Sequence, residues 1–255
     1  IFENASVDFE DELGASFQNP ANLPSSRRPI KEPSDRHARR EQVLSHPQAR
    51  ALLSDDRIPT DRQVFYALTI FTGMRTGETA ATTWADWDRT RQPLSGLKIA
   101  KTITREGVIV ERTKTRVVKF VPVHKSLEEI LVVWRQIGWP ALFRRQPEST
   151  DLICPHMPSK GPNAGKIAVR NHTLIMRGWR EDLEQLDIDG DKTPHAMRHS
   201  FISLTLRDGA SLEVVRKVTH PRPRSIVDVY THVFWDQLCE EVSKLNLGSF
   251  VEQPQ

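Results

Sequence analysis

The chain has 255 residues, enough for one large domain or two small ones at about 150 residues each. Its two cysteines, Cys154 and Cys239, exclude a disulfide framework and a multi-cysteine zinc module, although one bridge stays open. No apolar run approaches the roughly 18 residues of a membrane span, and a net charge of +3, from 36 basic against 33 acidic residues, leaves the partner undecided until charge is read locally.

Residues 1–14 carry Glu3, Asp8, Glu10, Asp11 and Glu12 with no basic residue, which excludes a signal peptide. The chain starts on Ile1, and this predicts a fragment or processed product. Residues 15–42 are rich in Pro, Ser, Asn and Arg, too polar to offset the entropy of ordering. The stretch 1–42 therefore reads as a linker or extended arm, with a compact domain over 43–250.

Ser45 is placed to cap a short helix running to Leu53. Thr60 is placed to cap a longer one with the apolar stripe Val64, Ala67, Leu68 and Phe71. Gly73 breaks that pattern, and a helix follows over 76–84. Three strand-like runs come next, Leu97–Thr104, Val108–Thr113 and Val117–Val123, rich in Val, Ile and Thr with Gly107 at the first turn. Ser126 and Glu129 form a capping-box pattern opening a helix over 127–137. A Gly/Pro-rich loop covers 155–165, then a long amphipathic helix covers 168–186. Pro194 suits the first turn of a helix ending near Arg207, with shorter helices at 211–218, 224–231 and 235–246. The fold class is α+β: mainly α-helical with one small three-stranded antiparallel sheet.

Basic residues concentrate in two blocks. Residues 96–125 hold Lys98, Lys101, Arg105, Arg112, Lys114, Arg116, Lys119 and Lys125 against Glu106 and Glu111. Residues 195–224 hold Arg198, Arg207, Arg216, Lys217, Arg222 and Arg224 against Asp208 and Glu213. A cationic face of this kind fits a polyanion, because phosphate contacts release counterions. Tyrosine is rare: Tyr66 sits near an apolar stripe and reads as core, whereas Tyr230 lies ten residues after His220. His195 and Arg198 stand at i, i+3, on one helix face within reach of one anion.

Five short boxes then occur in order: Thr72-Gly73-Met74-Arg75-Thr76-Gly77-Glu78; Thr113-Lys114-Thr115-Arg116 leading to Val121-Pro122; His195-Ala196-Met197-Arg198; Val218-Thr219-His220; and Tyr230-Thr231-His232. Each is common by chance, but the ordered set resembles the catalytic domain of the tyrosine recombinases, the phage-type integrase family, over roughly 41–247. The resemblance implies that Arg75 and Arg198 bind the scissile phosphate and that Glu78 supports them. It makes Lys114 the acid for the leaving oxygen, His195 and His220 the site histidines, and Tyr230 the nucleophile. It implies site-specific recombination of double-stranded DNA through a 3′-phosphotyrosine, for a phage or mobile element, with no cofactor and no metal. It further implies a tetramer on DNA with C-terminal helix exchange, with a monomer in isolation left open, and a cytoplasmic, nucleoid-associated protein without a membrane anchor. Members carry a helical core-binding domain before the catalytic one, so linker plus catalytic domain is the expected extent here.

The chemistry suits these residue types. A pentacoordinate phosphate gathers charge on its nonbridging oxygens, and two guanidinium forks hold such oxygens without a metal. A tyrosine hydroxyl of pKa about 10 loses its proton as it attacks, and a histidine can take it. The sequence departs from the family pattern at Val218-Thr219-His220, usually Leu-Gly-His, and at Pro221-Arg222-Pro223-Arg224, where small polar residues are usual. These prolines leave delivery of Tyr230 in cis or in trans open. Three alternatives stand beside this reading: a noncatalytic DNA-binding module of the same fold, a type IB topoisomerase or telomere resolvase, and a histidine-based metal hydrolase, for which no complete ligand set is apparent. The helix over 235–246 presents Trp235, Leu238, Val242 and Leu245 on one face, for its own core or for a neighbouring protomer.

Overall fold

The computed structural model describes residues 42–111, 118–161, 164–189, 191–219, 233–248 and 250. The leader up to 41, the helix expected at 224–231, and Lys114, His220 and Tyr230 lie outside the described residues.

Nine helices and five strands are described. In chain order they are α1 (His46–Ser54), α2 (Thr60–Thr72), α3 (Thr76–Ala81), β1 (Trp87–Asp88), β2 (Gly96–Ile99), β3 (Thr102–Ile103), β4 (Ile109–Val110) and β5 (Lys119–Pro122). There follow α4 (Lys125–Val133), α5 (Trp139–Phe143), α6 (His172–Gln185), α7 (Ala196–Arg207), α8 (Leu212–Thr219) and α9 (Trp235–Ser243). A 3-10 turn covers Trp84–Asp86, and a π turn, Trp134–Gly138, joins α4 to α5.

The central element is α2. Every residue from Val64 to Thr72 is buried, because α1, α3, α4 and α7 all pack on it. An apolar stripe is thus too narrow a description; the helix is covered nearly all round, as core helices are. Thr60 is its first helical residue and makes no side-chain cap, contrary to expectation. Ser45 caps α1 as expected: its hydroxyl accepts from Gln48 N–H, and Gln48 Oε1 accepts from Ser45 N–H at 2.9 Å. At α4 the expected Ser126 cap is displaced. His124 Nδ1 accepts the Ser126 N–H at 3.1 Å, so the helix begins at Lys125. Trp134 and Trp139 then fill the core and donate their indole N–H groups to the Ile153 and Leu152 carbonyls. Tyr66 is core as expected; its hydroxyl donates to the buried Asp182 carboxylate at 2.6 Å.

The three-stranded antiparallel sheet exists, but its members differ from the expected runs. Its order is β1-β2-β5, and β3 pairs with β4 as a separate hairpin. The run 97–104 breaks between Ile99 and Thr102. There the Lys101 ammonium meets Asp86 at 3.1 Å. In register, Leu97 faces Val121 and Ile99 faces Lys119. That register sets Lys119 at the start of β5.

The last helix, α9, packs against α8 and β5 of its own chain, with Cys239 and Val242 buried. Both cysteines are free and buried. Among the described residues no helix is long and apolar enough to cross a membrane, and no group of three His, Cys, Asp or Glu side chains is arranged to hold a metal ion.

Candidate active site

The site begins where α2 stops. Gly73 takes the left-handed conformation, φ 62°, and its N–H closes on the Thr69 carbonyl at 3.0 Å. Glycine carries that conformation without the penalty of a Cβ. The chain reverses at once, and Arg75 becomes the N-cap of α3. Glu78, at the third helical position, reaches back. It accepts the Arg75 backbone N–H and the Arg75 Nη1, each at 3.0 Å. The Glu78 carboxylate is buried, while the Arg75 guanidinium stays 27% exposed. An acid at N3 suits the positive end of a helix. Here it also fixes the direction in which a partly exposed guanidinium points.

Arg198 comes from the first turn of α7 and is buried. Its Nη1 donates to the Gly73 carbonyl and its Nη2 to the Thr219 carbonyl, the latter at 2.6 Å. One guanidinium thus ties the end of α2 to the end of α8, satisfying carbonyls that lack partners at helix ends. A guanidinium has five N–H donors, so an edge remains for a further acceptor. Burial and the nearby Arg75 push its pKa down to about 10, against the pull of Glu78, so it stays charged at neutral pH.

Lys119 joins this group. From the start of β5 its ammonium donates to the Val218 carbonyl at 2.7 Å. Burial holds its pKa down, near 8; Glu78 opposes this and the positive charges of Arg198 and Arg75 reinforce it. Three cations, Arg75, Lys119 and Arg198, therefore share one buried carboxylate, Glu78. An excess of positive charge held this close is unfavourable until an anion arrives.

His195 is exposed at the N-cap of α7, one turn ahead of Arg198, and its ring meets His199 edge-on at 5.0 Å between centroids. An open groove of about 430 Å³ runs beside the start of α3, lined by Thr76, Gly77, Arg105 and His172 among others. Of the seven residues expected at the site, the structure gathers Arg75, Glu78 and Arg198, and places His195 on the Arg198 helix. Lys114, His220 and Tyr230 fall outside the described residues. Lys119 was visible in sequence only as a second lysine near Lys114. Strand alternation gives a face, but it does not reveal a carbonyl partner 99 residues away.

Residues 42–236 match the phage integrase family. Tyrosine recombinase XerC of Pediococcus pentosaceus is 26% identical over 174 residues, covering 68% of this chain and 50% of that protein. This chain therefore spans about half the length of that relative. Among solved structures, the Tn1549 transposon integrase in complex with a circular intermediate DNA superposes with a TM-score of 0.56, at 14% identity over 96% of this chain and 76% of that one. The integrase from mycobacterium phage Brujita gives 0.53 at 18% identity, over 98% of this chain and 70% of that one. At these identities the superpositions carry the fold.

Proposed function

The chain belongs to the phage integrase family, and on that premise we propose that it cuts and rejoins double-stranded DNA at specific sites as a tyrosine recombinase. Tyr230 attacks the scissile phosphorus and its proton passes to a site histidine, His195 or His220. Arg75 and Arg198 hold the nonbridging oxygens as negative charge grows on them. Lys114 gives a proton to the departing 5′-oxygen. A phosphodiester to deoxyribose is exchanged for a phosphodiester to tyrosine, so attack by a 5′-hydroxyl reverses the step without ATP. Glu78 holds Arg75 in place and moderates the crowding of cations.

The observation that carries this reading is the convergence of Arg75 and Arg198. They come from the α2–α3 turn and from α7; Arg75 pairs with the buried Glu78 carboxylate, and Arg198, close enough to feel the charges of both, is anchored at the ends of two helices. A solvated surface pair has no need of such anchoring. The reading implies action on DNA at the nucleoid and assembly of four copies on two duplexes. The exchange of the C-terminal helix between copies belongs to that assembly. Sedimentation with and without DNA reads the assembly directly.

The deciding experiment uses a nicked suicide duplex carrying the attachment sequence of the chain's own element. Wild type is expected to form a covalent adduct that survives denaturing electrophoresis. Tyr230→Phe is expected to form none while binding the duplex nearly as well. An adduct from the Phe variant would overturn the assignment of Tyr230.

A further inference from the structure

Lys119 has no role in the chemistry set out above, yet its ammonium is held by a backbone carbonyl 99 residues away in the chain. Its ammonium sits 2.7 Å from the Val218 carbonyl, one residue before the carbonyl that Arg198 grips at 2.6 Å. Val218 and Thr219 are both buried, in the last turn of α8. The end of that helix thus receives two positive donors from two other elements, β5 and α7. Two cations at a helix C-terminus oppose its negative pole and satisfy orphan carbonyls. A neutral donor would satisfy a carbonyl at far less cost than a third cation set beside Arg75 and Arg198.

The position of Lys119 in the chain gives the tie its meaning. It is the first residue of β5, five residues after Lys114. Val218 stands two residues before His220. The Lys119–Val218 bond therefore joins the two chain segments from which Lys114 and His220 issue. It does so beside the Arg75–Glu78 pair.

We infer that Lys119 is a positioning residue: by docking the start of β5 on the last turn of α8, it holds the end of that helix, which Arg198 also grips, in place beside the Arg75–Glu78 pair. The inference rests on the recombinase reading for its chemistry, though not for its geometry. Lys119 itself touches neither phosphate nor tyrosine in this scheme. Its charge adds to the field that an incoming phosphate meets, and its hydrogen bond fixes where α8 ends.

The test compares Lys119→Met and Lys119→Arg with wild type, all in the full chain. The first readout is hydrogen–deuterium exchange over 212–219, which requires no activity. Lys119→Met is expected to speed exchange in the last turn of α8, with α7 unchanged, and Lys119→Arg to restore most of the protection. The second readout is adduct formation on the nicked duplex at saturating DNA. Lys119→Met is expected to slow it about tenfold or more, with noncovalent affinity within about threefold, as suits loss of a charge-assisted bond that acts on the chemical step. Lys119→Arg is expected to recover most of the rate. Unchanged exchange in Lys119→Met overturns the inference. So does a rate within about twofold of wild type, or a loss that appears in affinity alone. If wild type forms no adduct, the recombinase reading fails, and the exchange experiment still decides whether Lys119 holds α8.

Discussion

Replacing Glu78 with Gln tests the electrostatics of the site. Gln keeps the shape and one acceptor oxygen, so the Arg75 backbone N–H can still be capped. What is lost is a negative charge that acts on both Lys119 and Arg198, the only one to do so among the described residues. Breaking a buried ion pair from one side costs about 3–5 kcal/mol. The retained cap and the partial exposure of Arg75 lower that toward about 2–4 kcal/mol. For a domain of this size each kcal/mol moves the melting temperature by about 2–4 °C, so a drop of roughly 5–15 °C is expected in thermal unfolding. The mechanism makes a second, sharper demand. With the carboxylate gone, the cation cluster gains more from a bound anion, so inorganic phosphate should raise the melting temperature of Glu78→Gln more than that of wild type. Measuring the difference between the two proteins removes the general salting-out effect. A variant within about 0.5 kcal/mol of wild type, or equal phosphate responses in both, would refute the argument that Glu78 balances this cluster.

Two further outcomes follow from the same geometry. Gly73→Ala places a Cβ at φ 62°, against the Phe201 ring and 3.0 Å from Thr219 Cγ2; left-handed strain plus overpacking is expected to cost about 2–4 kcal/mol in urea unfolding, and a change under about 0.5 kcal/mol would show that the turn relaxes freely. Lys119 has its folded pKa lowered from 10.5 to about 8 by burial, with Glu78 opposing and Arg198 and Arg75 assisting. Between those values the unfolded chain holds the proton that the folded chain has released, so wild type is expected to gain stability relative to Lys119→Met as pH rises from about 8 to about 10.5; parallel curves would remove the burial argument.

Much of the fold was legible because local chemistry set it. The Ser45–Gln48 cap and the Gly73 stop were readable from residue type and spacing. The readings that failed did so where another residue took the expected role or where a strand was too short to show its pattern. Ser126 has the residue type of a cap, but His124 takes the role. The run 97–104 has the composition of one strand, but it breaks between Ile99 and Thr102, where Lys101 pairs with Asp86. Strand β1 is two residues long, too short for any alternation to register. At the site, the spacing of Arg75 to Glu78 and of His195 to Arg198 was visible because each pair lies within one helical turn. The anchoring of Arg198 was not, since its partners lie 125 and 21 residues away and are backbone carbonyls, which leave no mark in side-chain sequence.

That anchoring bears on why this position carries arginine. A lysine there could donate to one or both carbonyls, but as a point charge it would have no fixed plane and no second edge. The guanidinium spends one donor on Gly73 and one on Thr219, and its rigid fork keeps the remaining donors in a set direction. The carbonyls also supply partial negative charge, which offsets part of the cost of burying a cation beside Arg75 and Lys119. The closure of the fold and the aim of the remaining donors thus depend on the same group. At Arg75 the two are separable, because its guanidinium is partly exposed and its partner Glu78 belongs to its own helix. At Arg198 they are not: whatever loosens its grip on α2 and α8 also changes the direction of its remaining donors.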